Sequence, residues 1–107
     1  MTPASRHILI SSTADGLSFL GTRPRAHAPR EQVARLLAET QEDIEVDFTG
    51  VAVSQSFADE LVGALLLQMG PDILNRVVFK GCSDSVKAAI EFVVADRYDE
   101  FVRTRSH

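Results

Sequence analysis

The chain has 107 residues, 45% of them hydrophobic and 24% charged, which suits one soluble globular domain with its own core and no disordered tract. A net charge of -4 and a pI near 5.2 exclude nucleic acid as the main partner, because such binding rests on cationic contacts to phosphate. The lone Cys82 cannot form an internal disulfide, and beside Gly81 it reads as a small buried filler rather than a nucleophile.

Taken in chain order, Met1 to Ser5 read as a loose end, and residues 103–107 as another, around a single domain spanning 1–107. His7 to Ile10 is a short β-type run, and Ser11 to Gly16, rich in Ser, Thr, Asp and Gly, is a turn. Leu17 to Leu20 alternates weakly and is expected to return as a hairpin partner of the first strand. Pro24 and Pro29 interrupt regular structure, with Pro29 placed to open a helix over 30–40 whose face carries Val33, Leu36, Leu37 and Thr40. The basic residues Arg23, Arg25, His27, Arg30 and Arg35 before and within that helix are either ordinary solvated charges or an anion or partner contact, Arg23 and Arg25 above all.

Ile44, Val46 and Phe48 alternate with Glu45 and Asp47, the pattern of a strand covered by helices on one side only. A helix over 57–69 follows, stopped by Gly70-Pro71. Val77 to Phe79 is a buried strand, and Ser83 or Asp84 caps a last helix over 84–95 with Val86, Ala89, Ile90, Val93 and Val94 at helical spacing. The fold class is α/β: a mixed, mostly parallel sheet of about four strands, with Val46, Phe48, Val77 and Phe79 in the core and helices mainly on one face. Leu61 to Met69, the most apolar stretch, is far short of the roughly 18 apolar residues of a membrane span, and no leader-like start is visible, so a cytoplasmic location without membrane contact is expected.

The segment Asp47 to Leu61 carries the functional signal. Ser56 stands where a helix N-cap belongs, with Asp59 three residues on as a capping-box acid. Ser54, Gln55, Ser56, Phe57, Asp59 and Glu60 form the expected partner-binding rim, and Ser56 or Ser54 is an N-cap or a phosphoacceptor. The helix beyond is apolar further round than a one-sided stripe requires, so either neighbouring helices cover it or part of it docks another chain. Catalytic, metal and cofactor sites are not expected. Asp59 and Glu60 diverge by about 100° on a helix, His7, His27 and His107 lack ligand spacing, and no phosphate-loop string is present.

This element order and segment resemble the STAS fold, named for sulphate transporters and anti-sigma factor antagonists. Asp47-Phe48-Thr49-Gly50-Val51 followed by Ser56-Phe57-Ala58-Asp59-Glu60-Leu61 is similar to the bacterial and phage STAS-like family of unassigned function, and the resemblance spans Ile8 to Val94. It implies a non-catalytic regulatory module that docks a protein partner, for instance a GHKL-type ATPase or serine kinase acting like an anti-sigma factor. In the antagonists a Ser at the helix N-terminus after the strand is phosphorylated, and Ser56 matches that position as Asp47-Phe48 matches the strand end. The chain departs from them in having Phe57-Ala58-Asp59-Glu60 where a second Ser and a Gly are usual. A phosphate on Ser56 would set about -1.5 to -2 charges beside two carboxylates, against about 0.3–1 kcal/mol of help from the helix terminus. The other reading is a small-ligand or anion sensor, for phosphate or a nucleotide, using the Ser54–Ser56 turn with Arg23 or Arg25.

Overall fold

The computed structural model describes residues 6–105; the first expected loose end, Ser106 and His107 lie outside the described residues. Strands β1 (His7–Leu9), β3 (Ile44–Asp47) and β5 (Val77–Lys80) form a sheet in the order β1-β3-β5, and β2 (Phe19–Leu20) pairs with β4 (Ala52–Val53). Both ladders are parallel throughout, with Ile8 opposite Val46 and Val46 opposite Phe79. The expected hairpin between the first two strands does not form. A 3-10 turn at Ile10–Thr13 redirects the chain, and β2 instead accepts the amides of Ala52 and Ser54 on the Ser18 and Leu20 carbonyls.

Five strands in two ladders therefore replace one mixed sheet of four. The extra strand, β4, lies inside the stretch read as a turn. Its signal was the alternation of Val51 and Val53, both buried, after a tight turn in which Val51 N–H donates to the Phe48 carbonyl and Gly50 takes φ +82°.

Helix α1 (Arg23–Glu39) begins a full two turns before the expected start, so Pro29 lies inside it rather than opening it. Pro24 occupies the first turn, where a missing N–H costs nothing. Pro29 forgoes one helical hydrogen bond but is buried with Ala26, Val33 and Leu37, the stripe by which α1 packs on β1 and β3. Helix α2 (Gln55–Ala58), a π-helical turn (Asp59–Gly63) and α3 (Ala64–Met69) run on from one another, and Gly70 at φ +93° ends the series. This segment is apolar all round because α1 packs on one side of it and α4 (Asp84–Arg105) on the other, burying Phe57, Leu61, Val62, Leu65 and Leu66. Ser83 caps α4 by accepting from Val86 N–H, and α4 runs to Arg105, so 103–105 form its last turn rather than a loose end.

The core lies between the helices and one face of the three-stranded sheet, where Ile8, Ile44, Val46 and Val77 are buried and the Phe79 ring sits 6.4 Å from that of the buried Phe48. The other face carries His7, Leu9, Glu45, Asp47, Val78 and Lys80, each exposed or half-buried. Parallel sheets are usually covered on both faces. This one is polar on its open side and is crossed by two diagonal ion pairs, His7–Asp47 and Lys80–Glu45, each at 3.2 Å.

Two glycines at strand ends differ in what surrounds them. Gly50 has nothing within 4 Å of a would-be Cβ, whereas at Gly81 (φ +66°) that atom would lie 2.2 Å from Thr49 Oγ1 and 2.7 Å from Asp47 Oδ1. Gly50→Ala is expected to cost about 1–2 kcal/mol, the left-handed penalty alone. Gly81→Ala should cost more because Thr49 and Asp47 must also move, and urea midpoints of the two variants measure the difference.

Candidate functional site

Asp47 ends β3 with its carboxylate fully employed. Oδ1 accepts from Thr49 Oγ1 at 2.6 Å and Thr49 N–H at 2.9 Å, and Oδ2 faces His7 Nε2 at 3.2 Å. These bonds, those from Thr49 first, hold the Asp47 carboxyl below the usual carboxylate range. Asp47 thus locks the strand end against the β5 exit at Gly81 and is not poised for chemistry.

The helix cap is Ser54, not Ser56. Ser54 has an extended backbone (φ -81°, ψ 167°), its hydroxyl accepts from Phe57 N–H at 3.0 Å, and it donates to the Gly21 carbonyl at 2.9 Å. The second bond ties the helix start to the end of β2, which fixes the start two residues earlier than a capping box read from Ser56 and Asp59. With both hydroxyl functions engaged and the residue half-buried, Ser54 is not a free acceptor for a phosphate. Ser56 and Gln55 are exposed, and the Ser56 hydroxyl has no hydrogen-bond partner among the described residues.

Two members of the expected partner rim are inside the protein: Phe57 is fully buried, and Asp59 is only 8% exposed. The Asp59 carboxylate does not reach back to a cap. Arg97 of α4 grips it with Nε to Oδ1 at 2.7 Å and Nη2 to Oδ2 at 2.5 Å, and Arg23 Nη1 adds a bond to Oδ2 at 2.8 Å. These guanidiniums, Arg97 foremost, keep the Asp59 carboxyl below its ordinary range, and the pairing raises Arg97 in turn. Glu60 takes Arg30 at 2.5 Å, His27 at 3.3 Å and Arg23 at 3.5 Å. The acidic first turn seen in the sequence is therefore neutralised internally. Arg25 points elsewhere, paired with Asp15 at 2.8 Å.

Gly63 makes the grip sterically feasible, since a Cβ there would lie 2.5 Å from Asp59 Oδ1 and 2.8 Å from Arg97 Cγ. An isolated Gly inside an apolar helix is a sequence signal of close packing, but it names no partner. Arg97 and Phe92, on a helix beyond the segment that attracted attention, carried no local signal.

These residues enclose an open cleft of about 270 Å³ between α2 and α4, lined by Arg23, Gln55, Ser56 and Asp59 on one side and by Phe92, Asp96 and Arg97 on the other. Phe92 is 58% exposed, a large aromatic at the mouth. The carboxylates lining the cleft are Asp59, held by Arg97 and Arg23, and Asp96 on α4.

Ser54→Ala is expected to cost about 0.5–2 kcal/mol through the lost cap, whereas Ser56→Ala should lie within about 0.5 kcal/mol of wild type; chemical denaturation of both checks the reassigned cap. Asp59→Asn should cost about 1.5–3 kcal/mol at neutral pH. Because the native carboxyl titrates below its unfolded value, the stability it contributes is complete above the unfolded pKa and is lost as pH falls through the native one. The gap in unfolding free energy between wild type and Asp59→Asn should then close as pH is lowered from about 5 to about 2, with Asp47 leaving a residual acid dependence in both.

No curated protein and no solved structure matches the chain. The family model described as a STAS-like domain of unknown function (DUF4325) matches residues 30–87, more than half of the sequence, including Asp59 and Glu60 but not Arg23 or Arg97, the cations that hold Asp59. The chain belongs to the STAS-like domain family, whose function is unassigned.

Proposed function

We propose that this domain is a non-catalytic regulatory module that docks a protein partner, a GHKL-type ATPase or serine kinase, through the exposed part of the Asp47–Leu61 segment. The observation that carries the reading is Ser56: an exposed, unbonded hydroxyl at the edge of a cleft whose far lip is the exposed Phe92. Since Phe57 and Asp59 are buried, the contact surface consists of Gln55 and Ser56 together with Phe92 and Asp96 of α4, and Glu60 serves it only from behind. An aromatic anchor beside a small polar patch is the composition that dominates binding energy at protein interfaces.

The alternative, a phosphate or nucleotide sensor, draws on Arg23 in the cleft wall. The open cleft of about 270 Å³ lies below the roughly 300–1,000 Å³ of pockets that enclose drug-sized ligands such as a nucleotide. For a phosphate ion it offers, among the described residues, no cation without a carboxylate partner, since Arg23 and Arg97 both hold Asp59. Docking of a partner is therefore the reading preferred.

The test uses a GHKL-type ATPase from the same host, with binding followed by calorimetry. Phe92→Ala and Ser56→Glu should each leave folding stability within about 0.5 kcal/mol of wild type, while Phe92→Ala weakens the complex about tenfold or more. Wild-type affinity in both variants would remove this surface as the interface. Binding of phosphate or ATP alone, without any affinity for the ATPase, would favour the sensor.

A further inference from the structure

Arg23 is the most exposed arginine of the clamp. Each carboxylate it touches has a closer partner: Asp59 has the bidentate Arg97, and Glu60 has Arg30 at 2.5 Å against 3.5 Å for Arg23. Its side chain is 48% exposed, against 24% for Arg30 and 27% for Arg97. Arg23 also lines the cleft with Ser56, which Arg25 and Arg30 do not. A half-exposed guanidinium with redundant acceptors, beside an unbonded hydroxyl, is free to take another anion without leaving a buried charge unpaired.

We propose that Arg23 is the internal reader of a phosphate carried by Ser56: the guanidinium leaves Asp59 and Glu60 for the phosphate, while Arg97 stays on Asp59. This rests on Ser56 being the residue a partner kinase modifies, and it adds how the chain registers the event. In that step Ser56 Oγ attacks the γ-phosphorus of a nucleoside triphosphate held by the kinase; the bond to the β-phosphate oxygen breaks, the diphosphate leaves and the hydroxyl proton is released.

The exchange is favoured by charge. A phosphoserine near neutral pH carries about -1.5 to -2 charges and offers three acceptor oxygens, so it outcompetes a carboxylate already held by two bonds from Arg97. Asp96, on the opposite wall, repels the phosphate and increases the demand for a cation. The consequence is local and structural. Arg23 begins α1, and its bonds to Asp59 and Glu60 tie that helix start to the π-helical turn. Phosphorylation cuts that tie directly beside the docking surface, while the buried Asp59–Arg97 pair keeps the core closed.

The experiment installs phosphoserine at position 56 of the full chain during translation and titrates it by phosphorus NMR. With Arg23 present the phosphate should have about tenfold lower proton affinity than in the Arg23→Gln variant, and Arg25→Gln, whose arginine is tied to Asp15, should titrate like wild type. Equal titration with and without Arg23 overturns the proposal, as does an equal effect of Arg25→Gln, which would reflect net charge alone. If Arg23→Gln does not fold, Arg23→Met, of similar length and without the charge, replaces it: removal of the cation should raise the phosphate's proton affinity by the same factor, and an unchanged titration overturns the contact. Because the phosphate is placed by translation, the result is independent of the partner. An ATPase that binds phosphorylated and unmodified chains alike would remove phosphorylation as the control of docking while leaving the Arg23 contact in place.

Discussion

A carboxylate almost removed from water, held by a guanidinium from the far end of the chain, organises this domain. Asp59 sits in the middle of the most apolar segment, where an unpaired charge would be prohibitive. Arg97 meets it with two parallel bonds, and Arg23 adds a third. The π-helical turn over Asp59–Gly63 lies between α1 and α4, so Arg23 and Arg30 of α1 and Arg97 of α4 reach it from both neighbours. Such turns are often found at functional sites, where the extra residue redirects side chains. Here the absence of a side chain at Gly63 leaves the space that the aliphatic part of Arg97 occupies. The cleft beside Ser56 is the gap between two helices that this bridge keeps at fixed separation.

The sheet plays a different part. Its helix-facing side supplies the core, and its open side carries a His7–Asp47 hydrogen bond and a Lys80–Glu45 ion pair across the three strands. The strand exits are locked to one another: Asp47 binds the Thr49 turn, and Gly81 allows β5 to leave within contact distance of both. That lock positions the Thr49–Gly50 turn, and through β4 it positions Ser54, whose hydroxyl joins β2 to the helix start. The placement of Ser56 at the rim is thus inherited from strand pairing rather than from its own cap.

The cleft is assembled from elements remote in sequence. Gln55 and Ser56 present a small polar patch, whereas the aromatic lip comes from Phe92 and the half-buried cation from Arg97, both on α4. The charges of Asp59 and Glu60 are held within the domain by Arg97, Arg30 and Arg23. Charge-pairing inside the domain and charge at its surface are therefore one system, with Arg23 belonging to both.

Much was legible without coordinates. Alternation in Ile44 to Phe48 marked a strand with one covered face, Gly70-Pro71 marked the end of the central helix, and Ser83 marked the start of the last, because each is a local choice of backbone geometry or burial period. The same local logic misplaced the start of α1 and the cap. Ala26 and Pro29 are weak continuations of the Val33–Leu37 stripe, and Ser54 wins over Ser56 only through the carbonyl of Gly21, more than thirty residues earlier. The direction of β2 and the pairing of β4 were likewise decided at long range, since two-residue strands carry too few side chains to specify a partner. By itself the sequence determined the α/β class and the STAS-like family. Tertiary structure alone decided which residues of the Asp47–Leu61 segment face water, because the fate of Asp59 depends on Arg97 and a charge can be buried only where its counter-charge arrives.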